Sequence, residues 1–117
     1  HCVFLKGLET MYLPIAHAEG RFVPRSEEQL SRLQTAGQLP LRYSDGSGSD
    51  HQLRFPANPN GSPGGLTAVA SLDGRVTAMM PHPERSFRGA QWSWQPQGLG
   101  ELSPWAMMFK SAATWLR

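Results

Sequence analysis

Cysteine is scarce in this chain: 117 residues contain one, Cys2. A lone cysteine excludes an internal disulfide framework, and without a Cys-x-x-Cys pair a zinc ribbon is excluded too. The pattern fits a reducing compartment, so a cytoplasmic location is expected. Long apolar runs are missing as well: none approaches the ~18 residues that would suggest a membrane span. No charged-then-apolar leader is present, and the first residue is His1, so the expectation is a fragment or processed product. Charge of one sign is equally scarce, since 11 Lys and Arg oppose 9 Asp and Glu for a net charge of +2. The sequence pI is about 9.1, yet nucleic-acid binding calls for Lys and Arg concentrated in a patch or stripe, and none is visible. Neither nucleic acid nor membrane is an expected partner.

What is abundant is punctuation. Twelve Gly and ten Pro fall short of a low-complexity composition, so they mark turns between short elements of one small domain. Val3 to Leu5 is a short apolar run, a strand or the end of one. Met11 to Ala18 is a second strand candidate, moved toward an edge by Pro14. Ser26-Glu27-Glu28-Gln29 is a capping box opening a helix from Glu27 to Ala36, with Leu30 and Leu33 on its buried stripe and Gly37 as its stop. Leu39 to Tyr43 and Gln52 to Phe55 are short strand candidates around a Gly/Ser/Asp loop. That loop's Gly-x-Gly lacks the Lys and the following helix of a phosphate loop. Asn58-Pro59-Asn60-Gly61-Ser62-Pro63 is a tight, irregular path that either crosses between strands or lines a pocket. Asp73-Gly74 separates the apolar runs 66–72 and 76–80, the signature of a hairpin whose two central residues take positive φ. Ser103-Pro104 then starts a final helix, with Trp105, Met108, Phe109, Ala112, Trp115 and Leu116 on one core-facing stripe.

The chemistry gathers just past the hairpin. In Met80-Pro81-His82-Pro83-Glu84-Arg85, Pro83 biases His82 toward extended backbone, which places His82 and Glu84 on the same side. A carboxylate on one imidazole nitrogen fixes the tautomer and leaves the other nitrogen free to take a proton. The same residues read equally as a loop histidine beside a solvated glutamate. His17 and Glu19 repeat the spacing, so two His and two Glu form a candidate ligand set for a metal-dependent hydrolase. A packed strand residue is the plainer reading of His17. Trp92, Trp94 and Trp105, with Arg85 and Arg88, form a candidate non-catalytic docking surface or pack on the domain's own end.

The Met80–Arg85 run resembles the His-Pro-Glu motif of class I glutamine amidotransferase domains. Taken with Asn58–Pro63, the Trp-rich Gln91–Trp94, Ser103-Pro104-Trp105, and Leu13-Pro14-Ile15-Ala16-His17-Ala18-Glu19-Gly20-Arg21, it resembles the phosphoribosylformylglycinamidine synthases in their long single-chain form. That family more often has Gly where Ala18 stands. The resemblance covers nearly the whole chain. It implies an α/β fold, an open mixed sheet with flanking helices of flavodoxin-like type, of which residues 1–117 are the C-terminal portion. It implies His82 and Glu84 as catalytic residues, with glutamine as substrate. Through a synthetase region of the same polypeptide or complex, it also implies ATP- and magnesium-dependent amidine formation in purine biosynthesis. The family's nucleophile is a cysteine at a Gly-x-Cys-x-Gly turn between strand and helix. Cys2, in His1-Cys2-Val3-Phe4, does not match it. The resemblance therefore places the nucleophile upstream of this chain, and implies that the chain alone is inactive.

Overall fold

The computed structural model describes residues 2–12, 15–16, 20–47, 53–95 and 97–117. Its centre is an antiparallel pair, β1 (Ala68–Ala70) and β2 (Thr77–Met79), in the register Ala68↔Met79, Val69↔Ala78, Ala70↔Thr77. Small residues let β1 lie deep: Ala68 and Ala70 are buried, and Leu66 and Thr67 just before them are buried as well. The segment 38–43 runs antiparallel along the other side of β1. Gln38 O accepts from Ala70 N–H at 2.8 Å, Leu41 O from Thr67 N–H at 3.2 Å, and Tyr43 N–H donates to Gly65 O at 2.8 Å. Only the Arg42↔Leu66 bridge in it counts as ladder. Pro40 breaks the donor row there, since its nitrogen carries no hydrogen.

The hairpin lies where Asp73-Gly74 predicts, with different turn chemistry. Gly74 alone takes a positive φ (70°), and among the described residues no non-glycine does. The connection is longer than two residues: Ser71 O accepts from Gly74 N–H at 2.9 Å, and Ser71 N–H donates to Val76 O at 2.9 Å. The Asp73 carboxylate closes the turn locally, accepting from the Ser71 hydroxyl at 2.5 Å and from Arg75 N–H at 3.2 Å.

Two helices flank the pair. α1 (Glu27–Thr35) begins at Ser26, whose Oγ accepts from Gln29 N–H at 3.1 Å. The Gln29 side chain reaches one residue beyond the cap and accepts from Arg25 N–H at 2.7 Å. At the other end Gly37 N–H donates to Gln34 O and Gln38 N–H to Leu33 O, the paired bonds of a Schellman stop. Gly37 has φ 67°, a backbone state that glycine adopts without a Cβ penalty. α2 (Ala106–Trp115) starts two residues after the expected Pro104, with Ser103 Oγ accepting from Trp105 N–H at 3.2 Å.

α2 packs on the Val3–Leu5 segment, which is a 3-10 turn and not a strand. Cys2, Leu5, Trp105 and Met108 form the buried cluster between them. The buried face of α2 is rotated from the predicted stripe. Met108 is buried and Ser111 and Ala112 are half-buried, whereas Phe109, Trp115 and Leu116 are exposed. The Val3–Leu5 layer is narrow, and among the described residues nothing covers the rest of the stripe. Trp115 instead receives the Arg75 guanidinium, 5.5 Å from its ring centre.

The α/β reading therefore holds, with helices beside a small sheet. All pairings among the described residues are antiparallel, so the mixed component is not found among them. Met11, Tyr12, Ile15, Ala16, Leu53 and Arg54 carry no strand pairing where strands were expected. Leu13, Pro14, Gln52, and His17 to Glu19 lie outside the described residues. No helix among the described residues is long and apolar enough to cross a membrane.

Candidate functional site

β2 delivers the chain directly to the predicted pair. Met80 N–H still donates to Thr67 O at 2.9 Å, so the backbone is anchored to the sheet within two residues of His82. Pro83–Arg85 then folds into a single 3-10 turn, closed by Arg85 N–H to His82 O at 3.0 Å and Ser86 N–H to Pro83 O at 3.1 Å. Nδ1 of His82 lies 3.0 Å from Oε1 of Glu84. The two side chains meet as predicted, but through this turn and not through continued extended backbone. A proline at the first position suits such a turn because its missing N–H would be unpaired anyway.

The contact commits Nδ1. Glu84 is ionised near neutrality and can only accept, so Nδ1 carries the proton, and the lone pair of neutral His82 sits on Nε2. The Glu84 carboxyl is held below the ordinary glutamate range, first by its own backbone N–H, then by the His82 ring and the Arg85 charge, against partial desolvation. The side chains keep 40% and 63% of their exposure, so water screens the pair.

Three stretches far apart in sequence converge beside this turn. Asn60 Nδ2 donates to Gly20 O at 2.9 Å, and Arg21 reaches the carbonyls of Asn60 and Gly61 at 3.5 and 3.4 Å. The end of the Met80 side chain lies against Gly20, where a Cβ would displace it, so residue 20 sits beside the end of β2. The Asn-Pro-Asn-Gly-Ser-Pro path is closed on itself. Asn58 bonds both backbone groups of Ser62, at 3.0 and 2.9 Å, and Asn60 Oδ1 accepts from the Ser62 hydroxyl at 2.6 Å. Its outer side contributes Pro59 to a cavity of about 560 Å³ that Met11, Leu41, Thr67, Pro81 and Trp105 also line. Pro81 is the residue immediately before His82. The path thus spends part of its polar groups on itself and part on Gly20 and Arg21, and one of its prolines lines a cavity.

Two of the three tryptophans of the docking reading, Trp92 and Trp105, spend their indole N–H groups on the protein's own backbone. Trp105 is 2% exposed and donates its indole N–H to Tyr12 O at 2.8 Å; Trp92 donates to Ser86 O at 2.8 Å. This burial and bonding lend no support to a docking surface built on both; of the three tryptophans in that reading, Trp94 alone is well exposed. Ser86 O also accepts from Ser103 Oγ, and Phe87 O accepts from Ser103 N–H at 2.8 Å, tying the residues after the 3-10 turn to the start of α2.

The chain matches the family model for CobB/CobQ-like glutamine amidotransferase domains over residues 1–116. It belongs to that family.

For a glutamine amidotransferase domain, the remaining sequence candidates sort plainly. Cys2 is buried, with Sγ 3.2 Å from the Thr77 hydroxyl, at the other end of β2 from His82. It is a core residue. His17 and Glu19, the second pair of the metal reading, lie outside the described residues. Among the described residues no three His, Cys, Asp or Glu side chains gather as a metal site. One residue that sequence reading passes over is Gln91, inside the Trp-rich run. Its Oε1 accepts from Arg88 N–H at 2.8 Å and its Nε2 donates to Glu84 O at 3.0 Å. In the sequence it stands as one more amide of the Gln91–Trp94 run, which no pattern distinguishes from an ordinary loop Gln.

Proposed function

We propose that this chain is the His-Glu portion of the glutaminase site of a phosphoribosylformylglycinamidine synthase of the long single-chain kind. The observation that carries the reading is the 3.0 Å contact of His82 Nδ1 with Glu84, which leaves Nε2 unengaged in a chain of the amidotransferase family. The finer assignment is supported by the separate motifs Asn58–Pro63, Gln91–Trp94 and Ser103–Trp105, which stand in that synthase family's order around Met80–Arg85.

The reaction needs a thiolate that these residues do not supply, since the sole cysteine is buried against Thr77. In this proposal the nucleophile belongs to residues outside this chain, and the chain alone has no glutaminase activity. The thiolate attacks the side-chain amide carbon of glutamine, its proton having passed to His82 Nε2. The imidazolium, steadied by Glu84, returns that proton to the amide nitrogen as the C–N bond breaks. Ammonia leaves and a glutamyl thioester remains. Water, deprotonated by His82, then hydrolyses the thioester to glutamate. The ammonia serves a synthetase region that uses ATP and magnesium to convert formylglycinamide ribonucleotide to the amidine. The described residues gather no acidic cluster for that magnesium.

The test is a pair of assays on the longest natural polypeptide carrying these residues, with and without His82→Ala. The expected result is loss of glutamine-dependent amidine formation by ~10³-fold or more, while the same variant still forms product when ammonium replaces glutamine. Glutamine hydrolysis indifferent to His82 would refute the site. A protein that hydrolyses glutamine but makes no amidine from formylglycinamide ribonucleotide would refute the synthase assignment and leave the amidotransferase family standing.

A further inference from the structure

Glu84 faces a geometric problem. Its side chain is exposed, so no packing holds its rotamer, and the contact with His82 depends on how firmly the backbone at residue 84 is aimed. The Glu84 carbonyl is engaged by Gln91 Nε2 at 3.0 Å. The other end of the same amide accepts from Arg88 N–H at 2.8 Å, and Gln91 N–H donates back to Arg88 O at 3.1 Å. A backbone N–H can only donate and a carbonyl can only accept, so these partners fix the orientation of the Gln91 amide without ambiguity. Trp92, the next residue, anchors the Ser86 carbonyl. One short 3-10 turn, Gly89–Gln91, thereby aims both sides of the Pro83–Arg85 turn.

We propose that Gln91 is a positioning residue for the glutaminase reaction: its amide bridges the Glu84 carbonyl and the Arg88 amide, and so holds the Glu84 carboxylate against His82 Nδ1. This rests on the reading of His82 and Glu84 given above. In this role Gln91 acts through Glu84, whose carbonyl it bonds, and not on the reacting atoms. Two substitutions separate this role from plain loop capping. Gln91→Ala removes both bonds. Gln91→Glu keeps an acceptor for Arg88 N–H, and so keeps the cap, but turns an oxygen toward the Glu84 carbonyl in place of a donor.

The experiment is a double-mutant cycle on glutamine hydrolysis by the intact polypeptide, with kcat and KM measured separately for Gln91→Ala, Gln91→Glu, Glu84→Gln and the combinations. Each Gln91 variant is expected to lower kcat by about tenfold, the scale of a small misplacement of a catalytic group, with KM unchanged. In the Glu84→Gln background either Gln91 change should add almost nothing. Full activity in Gln91→Glu with loss only in Gln91→Ala would overturn the proposal and assign Gln91 to capping. Effects that multiply with those of Glu84→Gln would overturn it as well. Thermal melts of both variants identify any loss caused by unfolding, in which case Gln91→Glu, with its cap retained, decides. If His82 and Glu84 themselves prove silent, the underlying site falls, and the positioning role falls with it.

Discussion

Replacing Glu84 by Gln tests the tautomer argument with little change in shape. With Nδ1 and Oε1 3.0 Å apart, the carboxylate can only accept, which places the ring proton on Nδ1. A carboxamide in its place has two orientations. With its NH2 toward Nδ1 it donates, forces the ring proton to Nε2 and removes the base. With its oxygen toward Nδ1 it preserves the tautomer but no longer offers a charge to the imidazolium. For a buried triad aspartate the equivalent change costs about 10⁴ in kcat. Here 63% of the Glu84 side chain and 40% of the His82 side chain remain exposed, so water screens the charge and the amide rotates freely between its orientations. We therefore expect a smaller loss, about 10- to 100-fold in kcat, with KM nearly unchanged. The assay is ammonia release from glutamine by the intact polypeptide, with ammonium-supported turnover as a control for the rest of the enzyme. Wild-type kcat in the Gln variant, or a loss confined to KM, would refute the reasoning, because neither follows from a misplaced proton.

Trp105→Ala should destabilise the protein by about 3–5 kcal/mol, as for other buried tryptophans, since Trp105 is 2% exposed. Trp105→Phe should cost about 1–2 kcal/mol, mainly for the lost indole bond to Tyr12 O, and urea denaturation of the pair reads the difference. In Gly89→Ala the new Cβ would lie 2.6 Å from Gly100 O. Overpacking against fixed backbone costs about 1–3 kcal/mol, so a lowered urea midpoint is expected, and an unchanged one would mean that the backbone at Gly100 moves freely. Asp73 provides a pH test. Its carboxyl lies below the ordinary range, first through the Ser71 hydroxyl and then through Arg75 N–H. A depressed folded-state value stabilises above the unfolded value and is lost as pH falls through the folded one. The difference in urea midpoint between wild type and Asp73→Asn should therefore be steady near neutrality and shrink below pH ~4. A difference that grows toward acid pH would contradict the sign.

Local features were legible in the sequence because their causes are local. The Ser26 cap, the Gly37 stop, the Asp73-Gly74 hairpin and the Ser103 start of α2 each depend on side chains a few residues from the backbone they serve. The meeting of His82 and Glu84 was legible for the same reason, since two residues separated by a proline have little freedom to part. The motif around them also carried the family, which the match over residues 1–116 bears out at the level of a glutamine amidotransferase domain. What depended on partners distant in sequence was not legible. Val3–Leu5 has strand composition, but it packs under α2 as a 3-10 turn. The predicted apolar stripe of α2 was rotated because only the narrow layer around Leu5 covers it. Trp92 and Trp105 have the composition of a docking surface, and only tertiary structure turned their indoles toward the carbonyls of Ser86 and Tyr12. Likewise nothing in the letters Gly20, Asn60 and Met80 joins them, and nothing marks Gln91 as the amide that holds Glu84. Backbone preferences and short-range hydrogen bonds act within a few residues, so sequence reports them directly. Burial and carbonyl anchoring depend on which surface arrives from elsewhere in the chain, and only the folded structure decides that.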